Sequence, residues 1–97
     1  DERYKDNIQP LSSPLWKINQ IGGYEFDWND KQDTYKGHDV GVIAQEVHKV
    51  LPEVVGEKSD GYLGVKYEKI VPLLIESIKE LNKKIEDIEK NCDCLNK

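Results

Sequence analysis

The sequence lacks what would mark a membrane protein, a nucleic-acid binder or a disulfide-stapled secreted domain. No apolar run approaches the ~20 residues a membrane-spanning helix needs, and Asp1 to Asp6 reads as neither a signal peptide nor a transit peptide. Positive charge is in deficit, with 14 Lys and Arg against 19 Asp and Glu, a net charge of −5 and a pI near 5.0. Non-specific nucleic-acid binding requires a basic face that displaces counterions from phosphates, and an anionic bilayer repels an acidic chain. Neither is an expected partner. Cysteine is confined to Cys92 and Cys94, which sit too close together to tie distant loops and are too few for a zinc site. His38 and His48 have no paired Cys or second carboxylate at ligand spacing, so no metal and no cofactor is expected. Core material is also scarce. Hydrophobic residues make up 37% and charged residues 34% of 97 residues, enough for one small domain and not for a two-domain enzyme. A chain of this size usually needs a supplement to stay folded, and oligomerisation is the one the pattern favours.

What is present falls into two regions. Residues 1–66 carry short segments punctuated by Gly, Pro and Asp, and residues 67–97 carry one uninterrupted helical pattern. Asp1 to Leu11 is polar and extended in character. Ser13-Pro14 reads as an N-cap followed by Pro in the first turn, opening a short helix through Leu15, Trp16, Ile18 and Ile21 that Gly22-Gly23 ends. Tyr24, Phe26 and Trp28 alternate with Glu25 and Asp27, which predicts a strand with one aromatic face, read with Trp16 as core. A loop follows to His38, then a short strand over Asp39 to Ala44. A second helix is predicted over Gln45 to Leu51, burying Val47, Val50 and Leu51, and strands are predicted at Val54-Val55 and Tyr62 to Tyr67.

From Tyr67 to Leu95 the apolar residues recur alternately three and four apart. Val71, Ile78, Ile85 and Cys92 fall at heptad position a, and Leu74, Leu81, Ile88 and Leu95 at d, the pattern of a coiled coil. Isoleucine at both 85 and 88, with no Asn at an a position, favours three strands over two. Glu80 with Lys84 and Glu86 with Lys90 are spaced to pair along the helix, and Pro72 must lie in its first turn or two. A single amphipathic helix packed on its own domain is the alternative, although so long a narrow stripe outreaches a globule of about 65 residues. The expected fold class is α+β: a small mixed globular part, then a long C-terminal helix forming a trimeric coiled coil.

Asp1-Glu2-Arg3-Tyr4-Lys5-Asp6-Asn7-Ile8, Gly41-Val42-Ile43-Ala44-Gln45-Glu46-Val47 with Leu51-Pro52-Glu53, and Val65-Lys66-Tyr67 leading into Val71-Pro72-Leu73-Leu74-Ile75 together resemble the endosialidase-type intramolecular chaperone domain, also called peptidase S74. The resemblance spans the chain with its motifs in order. It implies a C-terminal module of a phage tailspike, tail fibre or neck appendage that trimerises, guides folding of the preceding β-rich segment and then cuts itself off. The setting implied is the host cytoplasm during virion assembly, with release from the mature fibre. The family's cleavage motif is Ser-Asp-x-Arg-x-Lys, and Asp1, Arg3 and Lys5 match it. The nucleophilic Ser would be the residue before Asp1. On that resemblance the chain carries the base, Lys5, without the nucleophile, as either a released product or a chain trimmed at the cleavage point would, and is expected to be inactive in trans. Ser12 and Ser13, beside Pro14, read as helix capping rather than as substitutes.

An amine accepts a serine proton only when neutral. The ordinary lysine pKa of ~10.4 must fall toward ~7–8, which burial promotes and nearby carboxylates oppose. Lys5 is expected to become competent only when assembly buries it; on spacing alone it reads as a solvated lysine. Gln45 and Glu46, where a strand meets a helix, are possible supporting residues, with Glu46 a candidate partner for Arg3, although capping and packing explain their identity equally well. The rival reading is a plain trimerisation module without cleavage activity.

Overall fold

Pro14 sits where the sequence analysis places it, in the first turn of a helix of five residues, α1 (Pro14–Ile18), in a computed structural model that describes residues 1–91. The expectations for Cys92, Cys94 and Leu95 fall outside the described residues. Ser13 precedes α1 in a left-handed conformation, with φ 48°, and its side chain makes no capping hydrogen bond. The cap comes from far along the chain instead: the Leu15 amide donates to the Glu80 carboxylate at 3.0 Å.

The aromatic alternation forms β1 (Tyr24–Asp27), antiparallel to β2 (His38–Gly41), with Tyr24 opposite Gly41 and Asp27 opposite His38. Strand β2 starts earlier and stops sooner than the apolar run Gly41-Val42-Ile43 suggests. Ile43 instead leads the chain into α2 (Ala44–Val50), its carbonyl accepting from the Glu46 and Val47 amides. Between β1 and β2 the loop is tied to itself by Gln32, whose side chain donates to the Asn29 and Tyr35 carbonyls and accepts from the Tyr35 amide at 2.8 Å. Pro52 opens a 3₁₀ turn, Pro52–Val54, after which β3 (Val55–Glu57) pairs with β4 (Leu63–Val65). Gly61, at φ +83°, supplies the left-handed residue that this hairpin turn requires.

The long C-terminal helix, α3 (Val71–Lys90), has Pro72 in its first turn. The heptad pattern suggests a start near Tyr67, but a proline ring clashes with the carbonyl four residues back and so excludes a continuous α-helix through Glu68. The chain takes a 3₁₀ turn, Tyr67–Lys69, and begins afresh at Val71. Glu80 is engaged with α1 rather than with Lys84, and Glu86 accepts from Asn82 at 3.2 Å; the helix is instead laced by Lys83–Asp87 at 2.9 Å and Lys79–Glu76 at 3.4 Å.

One core serves both regions. Val47, Val50, Leu51, Val54, Ile70 and Leu73 are buried together, with Leu11, Ile18, Ile21, Val42, Val55 and Val65 packed around them. Two residues read as core lie elsewhere. Trp16 is 61% exposed, because Leu15 and Ile18 take the inward side of so short a helix, and Tyr24 is on the surface with its hydroxyl turned to Glu46. Phe26 and Trp28 are half-buried, edge to face at 4.9 Å, and Tyr35 stacks on Trp28. The radius of gyration, 18.1 Å, far exceeds the ~12–13 Å expected of a compact chain this long, and the longest dimension is 57 Å. Beyond Glu80 every described residue of α3 is exposed, which accounts for the extension.

Candidate functional site

Asp1, Arg3 and Lys5 stand on a 3₁₀ turn, Glu2–Tyr4, that the motif itself ties. The Asp1 carboxylate accepts from the Arg3 amide at 2.8 Å and from the Arg3 guanidinium at 2.6 to 3.2 Å. Asp1 thus caps the turn and holds the arginine with the same two oxygens. Arg3 pairs with Asp1, and not with Glu46. Lys5 leaves the turn in extended conformation, its amide donating to the Glu2 carbonyl at 3.0 Å, with its side chain in solvent. Residues 1–10 are all exposed, including Tyr4 and Ile8, and Leu11 is the first to reach the core.

Gln45 and Glu46 lie in the first turn of α2. Glu46 accepts from the Gly22 amide at 2.9 Å and from the Tyr24 hydroxyl at 2.7 Å, fixing the path by which the chain leaves α1 and enters β1. The Gly22 amide, and then the Tyr24 hydroxyl, hold its carboxyl below the ordinary carboxylate range, and the same bond raises the Tyr24 phenol. Gln45 is exposed at the rim of an open groove floored by Phe26, Trp28, Ile43 and Leu63. Among the described residues no hydrogen bond or ion pair joins Asp1, Arg3 or Lys5 to Gln45 or Glu46. In the single chain these residues form a structural framework at one place and an exposed hook at another.

The Gly41 and Tyr67 motifs, by contrast, meet directly. The Tyr67 hydroxyl accepts from the Val42 amide at 3.1 Å, and a Cβ on Gly41 would lie 2.7 Å from that oxygen. Glycine at 41 leaves the room the phenol needs. His38 sits between two carboxylates of β1, Nδ1 at 2.9 Å from Asp27 and Nε2 at 3.2 Å from Glu25, and these bonds, the Asp27 bond foremost, raise its pKa. Asp39 on the same strand accepts from the Trp28 indole at 3.0 Å. Among the described residues no group of three His, Cys, Asp or Glu could hold a metal ion.

Helix α3 is two-faced. Leu73, fully buried, Ser77 and Glu80 face the chain's own globule. The predicted seam residues lie on a neighbouring face, turned about 100° from that one: Val71, Leu74, Ile78, Leu81, Ile85 and Ile88 are all exposed, Ile78 by 67%, and Ile75 lies beside them. The aliphatic stripe is therefore not the surface by which the helix packs on its own domain. A soluble chain rarely leaves so much contiguous aliphatic surface in water without a partner.

Sequence reasoning missed three contacts: Glu80 with the Leu15 amide, Tyr67 with the Val42 amide, and the His38 clamp. For the last a signal was available, since acidic residues two apart on one strand share a face.

A family model described as chaperone of endosialidase, Peptidase S74, matches residues 1–56. The long tail fiber protein Gp37 of Enterobacteria phage K3 is 30% identical over 97 residues, with 92% of this chain and 8% of that protein covered. Gp37 of Enterobacteria phage T2 is also 30% identical, with 7% of its length covered, and Gp37 of Salmonella phage S16 is 32% identical, with 93% of this chain and 13% of that protein covered. The chain thus spans only a small part of the length of these relatives.

Proposed function

The chain belongs to the Peptidase S74 family, the chaperone of endosialidase, and from that premise we propose that it is the intramolecular chaperone of a phage tail fibre. Three copies associate along the aliphatic stripe of α3, align the β-rich segment that precedes Asp1, and are then released by self-cleavage with Lys5 as the base. The observation that carries this reading is the stripe itself, six heptad residues left in solvent while Leu73 and Ser77 serve the chain's own core. Pairing of β-segments from three chains is non-local, slow and exposed to aggregation. A coiled coil forms from local contacts, and once formed it raises the effective concentration of the attached segments and fixes their stagger. Release afterwards leaves the fibre without its assembly aid and kinetically trapped. The host cytoplasm is the place for these steps, before the finished fibre leaves with the virion.

Cleavage requires a serine before Asp1, whose hydroxyl proton the Lys5 amine accepts. The plain trimerisation module remains the second reading because Lys5 is exposed in the single chain. A precursor that restores the upstream residues, including that serine, separates the two. Mass analysis of its fragments is expected to show a cut beside Asp1 that Lys5→Ala abolishes, whereas an uncut trimer supports the plain module. Polar substitution of both Ile78 and Ile85 is expected to leave the precursor monomeric and uncut. Efficient cleavage in that monomer refutes the coupling of chemistry to assembly.

A further inference from the structure

The charges flanking the stripe carry information about how copies would meet. With Val71, Ile78 and Ile85 at a and Leu74, Leu81 and Ile88 at d, position g holds Ser77, Lys84 and Asn91, and position e holds Ile75, Asn82 and Glu89. Ser77 is covered by the chain's own globule. Lys84 is exposed and, among the described residues, makes no hydrogen bond or ion pair. Its natural partner one turn back, Glu80, is drawn away to the Leu15 amide, and the lysines at 79 and 83 are each matched by an acid on their own helix. The docking of α1 thus leaves Lys84, among the described residues, an unpaired cation beside the seam.

The geometry points to a second copy of this chain as its partner: Lys84 pairs with Glu89 of the neighbouring helix, and this contact sets parallel orientation and exact alignment of the copies. The inference rests on the association along α3 proposed above. In a parallel coil a g residue faces the e residue of the next heptad on its neighbour, five positions on, which for Lys84 is Glu89. A slip of one heptad toward the N-terminus replaces Glu89 with Asn82, and no other e position among the described residues carries an acid. An antiparallel pair sets g beside g and e beside e, so that Lys84 meets Ser77, Asn91 or a second Lys84 and no carboxylate. Only the aligned parallel arrangement satisfies Lys84. Glu89 also interacts within its own chain, but a carboxylate accepts from more than one donor.

The test is a charge swap in the full chain under reducing conditions, followed by sedimentation equilibrium. Lys84→Glu and Glu89→Lys alone each place like charges at every interface, and each is expected to weaken association about tenfold, since several small surface pairs are lost at once. The double variant Lys84→Glu/Glu89→Lys is expected to recover the wild-type constant, and an equimolar mixture of the two single variants to associate more tightly than either alone. High salt should flatten these differences, as the Debye length falls to about 3 Å at 1 M. Circular dichroism is the check that each variant remains folded. A wild-type trimer whose single and double variants associate equally well overturns the pairing and leaves the assembly reading intact. A wild-type chain that stays monomeric overturns both.

Discussion

Leu73 and Leu74 are adjacent in sequence and point about 100° apart around α3, one into the core and one onto the stripe, so the same truncation at each should break different things. Leu73 is 0% exposed in the core with Val47, Val54 and Ile70. Leu73→Ala removes its transfer free energy and leaves a cavity, a loss of about 2–5 kcal/mol against a total domain stability of about 5–15 kcal/mol. Leu74 is 43% exposed on the stripe. Full burial of a leucine side chain contributes about 1.5–3 kcal/mol, so covering the remaining 43% gives about 0.6–1.3 kcal/mol per copy. Over three copies this is about 2–4 kcal/mol, roughly a thirty- to thousandfold change in the association constant. Urea titrations at dilute and concentrated protein, with tryptophan fluorescence for folding and sedimentation for mass, separate the two effects. Leu73→Ala is expected to lower the unfolding midpoint at both concentrations. Leu74→Ala is expected to do so chiefly at the higher one, where association adds to stability by mass action. Equal loss at both concentrations for Leu74→Ala, or unchanged association by it, refutes the two-faced reading of α3.

Two further outcomes follow from local geometry. Gly41→Ala is expected to push the Tyr67 hydroxyl off the Val42 amide, losing about 0.5–1.5 kcal/mol of hydrogen bonding; in a Tyr67→Phe background, where the oxygen is already gone, the same substitution should cost less, so denaturation of the two singles and the double should reveal coupling, and strict additivity counts against the contact. His38 has its folded pKa raised by Asp27 and Glu25, so its contribution is complete below the unfolded value near 6.5 and disappears as pH rises through the folded value. The β1–β2 hairpin should therefore be better ordered at pH 6 than at pH 8 in low salt, a difference His38→Gln removes, and an NMR titration placing His38 at or below the ordinary value contradicts the clamp.

What the sequence made legible was what depends on near neighbours. Pro14 and Pro72 marked helix starts because a missing amide and a fixed φ act locally, the Tyr24-Glu25-Phe26-Asp27 alternation marked β1, and the heptad spacing separated the stripe from the rest of α3. The misread residues needed tertiary information. Ser13 beside a proline looks like a cap, but the carboxylate that reaches the Leu15 amide belongs to Glu80, 65 residues away. Trp16 looks like core by size, yet α1 is too short to bury more than the side that carries Leu15 and Ile18. Glu46 looks like a partner for Arg3 until both are placed, when Asp1 proves nearer to the arginine and the β1 entry nearer to the glutamate. The motif residues Gly41, Glu46 and Tyr67 could equally have been chemical or structural. Their partners are a hydroxyl and backbone amides within the same chain, so framework contacts account for them.

The exposure of the N-terminal hook bears on the order of events during assembly. A neutral amine near neutral pH needs apolar surroundings, and among the described residues none buries the N-terminal segment: residues 1–10 are all exposed, and the Glu46 carboxylate is engaged by Gly22 and Tyr24. The Asp1–Arg3 pair fixes the turn that projects Lys5 but, being itself exposed, does nothing to desolvate the amine. On the proposed function, whatever encloses Lys5 comes from outside this set of contacts: another copy, or the segment ahead of Asp1 once association along α3 has folded it into place. On the proposed function, a monomer has the base in the wrong solvent and a trimer has the means to change it. On that reading cleavage follows assembly for a reason of solvation, without a separate switch.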